Sequence, residues 1–286
     1  MLSVCIPVFN YNVLPLINEV LRQANSVDKD VEILVYDTSE DQYLAQNQAI
    51  GQLPLTRYVR HSCTVSREAL RNVMAREAAG EYLLMLDDDC WPDTNFLANY
   101  VQRLPAVVMV GGTRYADKRP QDPELFLHWH YGRRREASAP ARRRNRFFQS
   151  NNFVVRKDIL LAHPFPESEA LGHSDTLWGQ LLVPANITIQ YVDNPVIHLG
   201  LMKNRDFLAK QKREVESLRL LRKQYPTVRT RLTTFADRYP KVSSLSEFMP
   251  EEALSRYVLE RGNLKALDIL KLKWWVSGWV PAIGYL

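Results

Sequence analysis

The sequence has 286 residues, 46% of them hydrophobic and 24% charged, and its net charge at pH 7 is +5. This composition excludes a disordered or fibrous chain, and the length allows one large hydrophobic core or two smaller ones. The positive balance suggests an anionic partner without identifying it.

The first part of the chain alternates short apolar runs with helical patterns. Apolar residues recur at helical spacing from Leu14 to Ala24, and a second helical pattern follows a predicted N-cap at Ser66. Strand composition marks residues 2–9, 31–37, 56–61 and 82–86. The alternation predicts a parallel sheet with right-handed crossovers and helices on both faces.

Polar residues stand where three of these strands end, at Asn10, Asp37 and Asp87. Ligands of open sheets bind beyond the carboxyl ends of the strands, so these residues are expected to converge on one site. Residues 106–115 are a further strand candidate, and the polar, basic residues 116–146 predict a long loop or a lid. Order is predicted to return in the segments 147–155, 175–182, 187–200 and 203–225.

Three consecutive carboxylates, Asp87, Asp88 and Asp89, follow the buried strand predicted at 82–86. A hard cation such as Mg²⁺ or Mn²⁺ prefers oxygen ligands and takes one or two carboxylates while substrate phosphates fill other positions. An acidic cluster alone is equally typical of a solvated loop or a helix cap. The apolar strand before the cluster and the turn at Trp91 and Pro92 favour a metal and phosphate site.

Six segments, in order, resemble the bacterial family 2 glycosyltransferases of the GT-A fold: VCIPVFN, EILVYDTSED, RNVMAREAAGEYLLMLDDDCWPD, QSNNFVVRKDIL, GHSDTLWG and IQYVDNPVIHLG. The resemblance covers about residues 2–200. It implies an α/β fold with a Rossmann-like, mostly parallel central sheet flanked by helices, followed by a helical C-terminal extension. The implied domains are a nucleotide-sugar-binding half (1–115), a basic loop with the acceptor-binding and catalytic half (116–202), and the extension (203–286).

The implied enzyme is an inverting hexosyltransferase that depends on Mn²⁺ or Mg²⁺ and acts in the synthesis of cell-envelope polysaccharide. It would move a sugar from a nucleoside diphosphate donor, expected to be a uridine diphosphate sugar, to a glycan or lipid-linked acceptor. The resemblance places Asp89 first among the metal ligands, with Asp87 and His198. Its nucleotide-sugar contacts are Pro7, Phe9, Asn10, Asp37, Arg71, Asp87 and Asp88.

Asp175 matches the general base that would remove the proton of the acceptor hydroxyl. The family often has an acidic residue just before this base, whereas this chain has Ser174. The resemblance places Asn151, Asn152, His173 and Trp178 on the acceptor and sugar side. By local sequence alone, Asp175 fits a helix first turn equally well, His198 fits a core or turn residue, and the two asparagines fit a turn.

The basic segment 128–148 carries seven arginines in two clusters with aromatic residues at both ends. Guanidinium groups pair with diphosphates, and arginine with aromatic residues binds single-stranded nucleic acid, but a solvated charge run has the same composition. No nucleic-acid-binding fold surrounds the segment, so nucleic acid is not the expected partner.

The C-terminal tail combines lysines with the aromatic residues Trp274, Trp275, Trp279 and Tyr285. Either it docks peripherally on an anionic membrane, or it packs its tryptophans against the catalytic domain. No apolar run in the chain reaches the roughly 20 residues that span a bilayer.

The cysteines Cys5, Cys63 and Cys90 match neither a disulfide framework nor a zinc site, and no basic segment precedes the first apolar run. We therefore expect a cytoplasmic protein, at the inner face of the cytoplasmic membrane if the tail docks there.

Two other functions compete with glycosyl transfer. A nucleotidyltransferase would typically have a glycine-rich loop after the first strand, and PVFNYN has no glycine. A non-catalytic protein would bind nucleic acid or membrane through the arginines.

Overall fold

A computed structural model describes residues 1–61, 65–143, 148–167 and 172–278. The chain divides into two compact units, each built from several stretches of sequence. The first unit comprises Met1–Ala116, Glu136–Glu167 and Leu177–Gly200. The second comprises Asp117–Arg135, Ser168–Thr176 and Leu201–Leu286.

The described strands all belong to the first unit. They are β1 (Leu2–Val8), β2 (Val31–Asp37), β3 (Thr56–Arg60), β4 (Tyr82–Leu86), β5 (Cys90–Trp91), β6 (Val108–Val110), β7 (Thr113–Arg114), β8 (Asn152–Arg156), β9 (Ile189–Tyr191) and β10 (Val196–His198). Seven form a sheet in the order β3-β2-β1-β4-β8-β6-β9, and β5, β10 and β7 form a small second sheet. The block from β3 to β4 is parallel, while β8 runs antiparallel to both β4 and β6.

The helices of the described residues alternate with these strands in the first half of the chain and dominate the second half. They are α1 (Leu14–Ala24), α2 (Asp41–Asn47), α3 (Arg67–Glu77), α4 (Phe96–Val101), α5 (Phe126–Tyr131), α6 (Pro140–Arg143), α7 (Lys157–Ala162), α8 (Ser174–Leu181), α9 (Asn204–Gln224), α10 (Arg231–Arg238), α11 (Pro240–Leu245), α12 (Glu251–Arg261) and α13 (Leu264–Val276). Short 3₁₀ turns cover Gln48–Gln52, Pro123–Leu125 and Ser246–Phe248, and a π-helical turn covers Gly132–Glu136.

Both faces of the large sheet are covered, which explains why β1 is apolar without alternation. On one face Val4 and Ile6 of β1 join a core with α1 and α4, and on the other Cys5 joins a core with α3 and Trp178. The predicted N-cap of α3 is confirmed, because the Ser66 hydroxyl accepts a hydrogen bond from the Ala69 amide at 3.1 Å. The expected α/β fold with a mostly parallel sheet is therefore confirmed.

The prediction of a long loop over residues 116–146 is wrong, because α5, the π-helical turn and α6 lie within it. Leu127 of α5 is fully buried in the core of the second unit, and Arg143 of α6 is buried in the first. Arg143 donates to the carbonyls of Val110 at 3.0 Å and Val192 at 2.6 Å. The basic composition of the segment therefore concealed a buried leucine and a buried arginine that links β6 to the residue after β9.

The two long strands predicted at 106–115 and 187–200 are each divided into two short ones. The first division occurs at Gly112, whose φ of +91° is the left-handed region that favours glycine. The second falls at Asn194, whose side chain accepts from Asn99 at 3.0 Å and donates to the Phe96 carbonyl at 3.0 Å. These breaks direct β7 and β10 into the small sheet beside the predicted metal ligands.

The described part of the C-terminal tail packs inside the second unit. Trp274 is 5% exposed within a core that also contains Phe207, Val258 and Leu270. The Trp274 indole donates a hydrogen bond to Glu251 at 2.9 Å, and Arg222 lies 5.8 Å from the ring centroid of Trp275. Trp279 and Tyr285 lie outside the described residues. None of the described helices combines the length and the apolar composition that crossing a bilayer requires.

Candidate active site

The loops that follow β1, β2 and β4 are hydrogen-bonded to one another at the carboxyl edge of the sheet. The Phe9 amide donates to Asp88 Oδ2 at 2.9 Å, and the Asn10 amide donates to the Ser39 hydroxyl at 2.7 Å. Asn10 has a φ of +52°, a conformation that asparagine tolerates better than most residues, and its side chain accepts from the Glu40 amide. The three loops therefore form one connected polar edge, as the sequence predicted.

Asp37 lies beneath this edge with no exposed surface. Its carboxylate accepts hydrogen bonds from the Ser39 amide at 2.9 Å, the Asn47 amide group at 2.7 Å and the Tyr58 hydroxyl at 2.9 Å. The contact of this carboxylate with a nucleotide base stays a prediction. Asp37 fixes Asn47, which in turn holds the loop after β1 through the Tyr11 carbonyl and the Val13 amide.

Two arginines of α3 compensate the first of the three adjacent carboxylates. Asp87 accepts from Arg71 at 2.7 Å and from Arg67 at 3.1 Å. The Arg71 side chain is 2% exposed, whereas that of Arg67 is 42% exposed and also lies 3.9 Å from Asp88. Arg71, predicted as a ligand contact, is therefore buried against Asp87, and Arg67 is the cation that reaches the surface.

Sequence reasoning missed Arg67, although its spacing of four residues from Arg71 puts both on one face of a helix. Coulombic attraction to Asp87 raises the pKa of Arg67 above its usual range. Burial raises the pKa of Asp88 to about 6, although Arg67 and the Phe9 amide act in the opposite direction. The arginines of α3 thus offset part of the repulsion among the three carboxylates.

Asp89 faces away from these arginines toward His198. Antiparallel pairing of β5 with β10 sets His198 opposite Cys90, and the Leu199 amide donates to the Asp89 carbonyl at 2.8 Å. Asp89 Oδ1 and His198 Nδ1 lie 3.4 Å apart. Burial alone would raise the pKa of Asp89, but the hydrogen bond and charge of His198 outweigh it, so the pKa lies below its usual value.

A candidate metal centre consists of Asp89, Cys90 and His198, whose ligand atoms all lie within 4.8 Å of one another. Burial and the adjacent Asp89 raise the pKa of the Cys90 thiol well above its usual value, and sulfur is a soft ligand. A hard cation would therefore take the carboxylate and the imidazole rather than the thiol. These two groups fit Mn²⁺ or Mg²⁺, whereas Asp87, also predicted as a metal ligand, faces the arginines and does not join the group.

Three further residues shape this centre, and the sequence analysis named none of them. Tyr115 packs edge-on against His198 with ring centroids 5.4 Å apart, and its hydroxyl is hydrogen-bonded to Glu136. Gly200 lies so close to Asp89 that an added Cβ would stand 3.0 Å from the Asp89 Cγ and closer still to Oδ2. A side chain at position 200 would therefore have to displace the Asp89 carboxylate.

The acceptor-side predictions for the first unit need correction for two residues. Asn152 is fully buried, accepts from the Tyr100 hydroxyl and donates to the carbonyls of Gly112 and Asn194. Trp178 is 1% exposed, stacks on Phe165 and donates to the His163 carbonyl. Both are core residues and not sugar contacts, because their polar groups are used inside the protein.

Asn151 keeps a position beside the candidate centre. Its side chain donates to the Thr113 hydroxyl at 2.7 Å and to the Cys90 sulfur at 3.5 Å, and its carbonyl accepts from the Asp87 amide at 3.1 Å. Pro7 lies inside the buried strand β1, while Phe9, just beyond the strand, is 50% exposed. Phe9 is therefore an aromatic side chain exposed at this edge.

Asp175 and His173 belong to the second unit, at the start of α8. Asp175 is half-buried in the first turn, and its Oδ1 accepts from the Thr176 amide at 2.6 Å. His173 has a φ of +64°, an uncommon conformation for this residue type that often occurs at functional sites. Burial, reinforced by Lys271 and opposed by Glu214, lowers the pKa of His173.

The model of one protein family, described as "Glycosyl transferase family 2", matches residues 3–162. No curated protein matches the chain. Among solved structures, the mannosyltransferase PcManGT from Pyrobaculum calidifontis, in complex with GDP-Man and Mn²⁺, is similar with a TM-score of 0.57 and 16% identity over 96% of this chain and 85% of that one.

Two synthases are also similar in fold. The mannosyl-3-phosphoglycerate synthase from Rubrobacter xylanophilus has a TM-score of 0.53 and 14% identity over 81% of this chain and 76% of that one. The glucosyl-3-phosphoglycerate synthase from Mycobacterium tuberculosis, in complex with Mn²⁺, UDP and glucosyl-3-phosphoglycerate, has a TM-score of 0.51 and 16% identity over 78% and 79% of the chains. At such identities the likeness concerns the fold.

Proposed function

The chain belongs to glycosyl transferase family 2, and from that membership we propose a metal-dependent, inverting enzyme that moves a sugar from a nucleoside diphosphate to a glycan or lipid-linked acceptor. Membership makes it a glycosyltransferase and sets aside the nucleotidyltransferase and the non-catalytic alternatives. The metal, the donor and the acceptor are the content of the proposal. The observation that carries it is the approach of Asp89 to His198, 3.4 Å apart, beside the carboxylates that pair with Arg67.

The donor is proposed to bind along the edge formed by the loops after β1, β2 and β4. Phe9, half exposed, offers a face on which a base can stack, and Arg67 offers a guanidinium that pairs with phosphate oxygens. Arg67 already holds Asp87 and Asp88, so its position is fixed before any ligand arrives. This arrangement favours a dianionic diphosphate over a neutral sugar as the anchoring group.

The proposed base of the donor is uracil, as the resemblance implies. The similar folds include one with UDP and one with GDP-Man, so both nucleotides belong in any test. Asp89 and His198 would hold the divalent cation. When bound, such a cation neutralises the charge that develops on the leaving diphosphate.

The remaining chemistry requires a base and a single displacement. The acceptor hydroxyl oxygen forms a bond to the anomeric carbon while the bond from that carbon to the diphosphate oxygen breaks, which inverts the anomeric configuration. Asp175 is proposed to accept the proton of the acceptor hydroxyl. Asp175 lies in the first turn of α8, directly after Ser174, where the family often has a second acidic residue.

Calorimetric titration of UDP and GDP, each with and without Mn²⁺, tests the donor and metal assignments together. The proposal expects one nucleotide to bind at least about tenfold tighter with Mn²⁺, and Asp89→Asn to remove that gain. Asp158→Asn is the matched control, since Asp158 follows β8 at the opposite edge of the sheet and is 62% exposed. Binding of neither nucleotide, or a Mn²⁺ effect that survives in Asp89→Asn, would contradict the proposal.

Contact with an anionic membrane belongs to the same proposal, because a lipid-linked acceptor is presented at a membrane surface. The described part of the tail, however, keeps Trp274 in the core of the second unit. Of the two alternatives for the tail, packing is thus seen for Trp274, and the residues beyond Gly278 lie outside the described part of the chain.

A further inference from the structure

One segment of the second unit buries two serines and leaves its large apolar side chains exposed. In α11 and the 3₁₀ turn that continues it, Ser243 and Ser246 are 2% and 5% exposed, while Val242, Leu245 and Phe248 are 52%, 64% and 83% exposed. An ordinary surface helix shows the reverse distribution. The apolar residues are therefore exposed although the same turns bury serines.

The buried serines are satisfied within the segment. The Ser243 hydroxyl donates to the Tyr239 carbonyl at 2.8 Å, and the Ser246 hydroxyl donates to the Ser243 carbonyl at 2.6 Å. No unpaired polar group forces the segment into this orientation. The two buried serines thus have hydrogen-bond partners, while the apolar side chains of the segment face solvent.

The exposed residues form a single neighbourhood. Positions 242, 245 and 248 recur every three residues, so they follow one side of the short helix and its 3₁₀ continuation. The rings of Phe235 and Tyr239, one turn apart, have centroids 5.1 Å apart, and Tyr239 immediately precedes α11. We call these residues the α11 patch. They are Phe235, Tyr239, Val242, Leu245, Phe248 and Met249, and each is at least 40% exposed.

Basic residues border the α11 patch. Arg231, Arg238 and Lys241 are exposed, and the Arg238 guanidinium lies 5.5 Å from the ring centroid of Tyr239. Asp237 faces the opposite way and pairs with Arg222 and Arg229, each at 2.6 Å. Glu247 is the exposed carboxylate within the patch segment itself, so the border is positive on balance.

We propose that the α11 patch docks this glycosyltransferase on an anionic membrane surface. Exposed aromatic and aliphatic side chains bordered by arginine and lysine are typical of helices that lie in the membrane interface. The apolar groups would enter the boundary of the acyl chains, while the basic border would face anionic headgroups. Docking requires neither the donor nor the metal, so its test is independent of the proposed reaction.

Flotation of the full 286-residue chain with vesicles tests the proposal. One set of vesicles contains phosphatidylcholine alone, and the other contains phosphatidylcholine and phosphatidylglycerol in equal amounts. The variants are Leu245→Ser with Phe248→Ser, and separately Arg238→Gln with Lys241→Gln. Leu161→Ser is the matched control, because Leu161 is 45% exposed on α7 of the first unit.

The wild-type chain is expected to float with the anionic vesicles. The apolar double variant should lower its partition coefficient by roughly tenfold to a hundredfold, since two large side chains lose their burial. The charge variant should lower it by roughly tenfold or more on anionic vesicles only, and Leu161→Ser should leave it unchanged. Circular dichroism of each variant confirms that it is folded.

Three results would overturn the proposal. The first is no flotation of the wild-type chain, and the second is equal flotation of the wild type and the apolar double variant. The third is a solution mass of two chains that falls to one chain in the apolar double variant, which would assign the patch to a second copy. A chain truncated after Gly278 distinguishes the α11 patch from the tail. If the patch binds the membrane, this truncated chain should still float with the anionic vesicles.

Discussion

A methyl group at position 200 should disable the proposed metal centre without changing a charge or removing a ligand. In Gly200→Ala, the added Cβ would stand 3.0 Å from Asp89 Cγ, 3.1 Å from its Cβ and closer still to Oδ2. Such approaches are below ordinary contact distances, and the end of the Asp89 side chain is the part that can move. The backbone of Gly200 is not in the left-handed region, so alanine adds no backbone strain of that kind.

The expected displacement separates the Asp89 carboxylate from His198, with which it now stands at 3.4 Å. Changes that misalign a metal ligand typically cost 10- to 100-fold in metal affinity, or about 1.4 to 2.7 kcal/mol. Calorimetry should therefore show a Mn²⁺-dependent gain in nucleotide affinity that falls by about this factor. Nucleotide affinity without Mn²⁺ and the midpoint of chemical unfolding should stay close to those of the wild type.

Gly51→Ala is the control for this experiment. A Cβ at Gly51 would meet only the Tyr58 Cβ, at an ordinary 3.8 Å, in the same unit of the protein. If Gly200→Ala keeps the full effect of Mn²⁺, then Asp89 is not a ligand of the cation, and the reasoning from its position beside Gly200 and His198 fails.

Three further predictions concern other parts of the site. Arg71→Met should lower the free energy of unfolding by about 3 kcal/mol, measured by urea titration, because it removes a buried partner of Asp87; an unchanged midpoint would show that the pair is not buried in solution. Asp175→Asn should abolish sugar transfer in a radiolabelled assay, while its nucleotide affinity should equal that of the control variant Asp158→Asn. Retained transfer would show that Asp175 is not the base. Trp178→Ala should lower the free energy of unfolding by about 3–5 kcal/mol, and a loss of activity at unchanged stability would instead restore Trp178 as a substrate contact.

The strands of the parallel block could be predicted closely because their burial on both faces leaves an unbroken apolar run. The predicted bounds of β2 and β4 agree with the structure, and β1 and β3 differ by one residue at their ends. The convergence of the loops at one edge of the sheet followed from the same reasoning. Parallel strands bring their carboxyl ends together wherever the helices between them are placed.

The side chains of the site were harder to predict, because their environment is decided by distant segments. Asn152 has the polar character of a sugar contact, but Tyr100 and two carbonyls use its hydrogen bonds in the interior. Arg71 and Arg67 have the same sequence character, and only packing against Phe165 and Asp87 buries the first and leaves the second at the surface. Sequence spacing places such residues on a face but does not tell which one is covered.

The α11 patch was missed for a related reason. Its residues alternate in a way that ordinary amphipathic reasoning assigns to the core, with the serines outside. The structure reverses this assignment, since Ser243 and Ser246 are buried and Leu245 and Phe248 are exposed. A short helix next to a 3₁₀ turn has too few residues for its periodicity to indicate which side faces the protein.

Asp87 and Asp89 belong to one acidic motif, but their surroundings differ. Selection should therefore retain Asp87 for folding and Asp89 for activity. Asp87 is tied to two arginines of α3, so its loss harms folding and would lower the amount of protein in a cell. Asp89 faces His198 and a glycine, so its loss would spare abundance and remove activity. A deep mutational scan that measures abundance and activity separately would therefore place two aspartates only two positions apart in different classes.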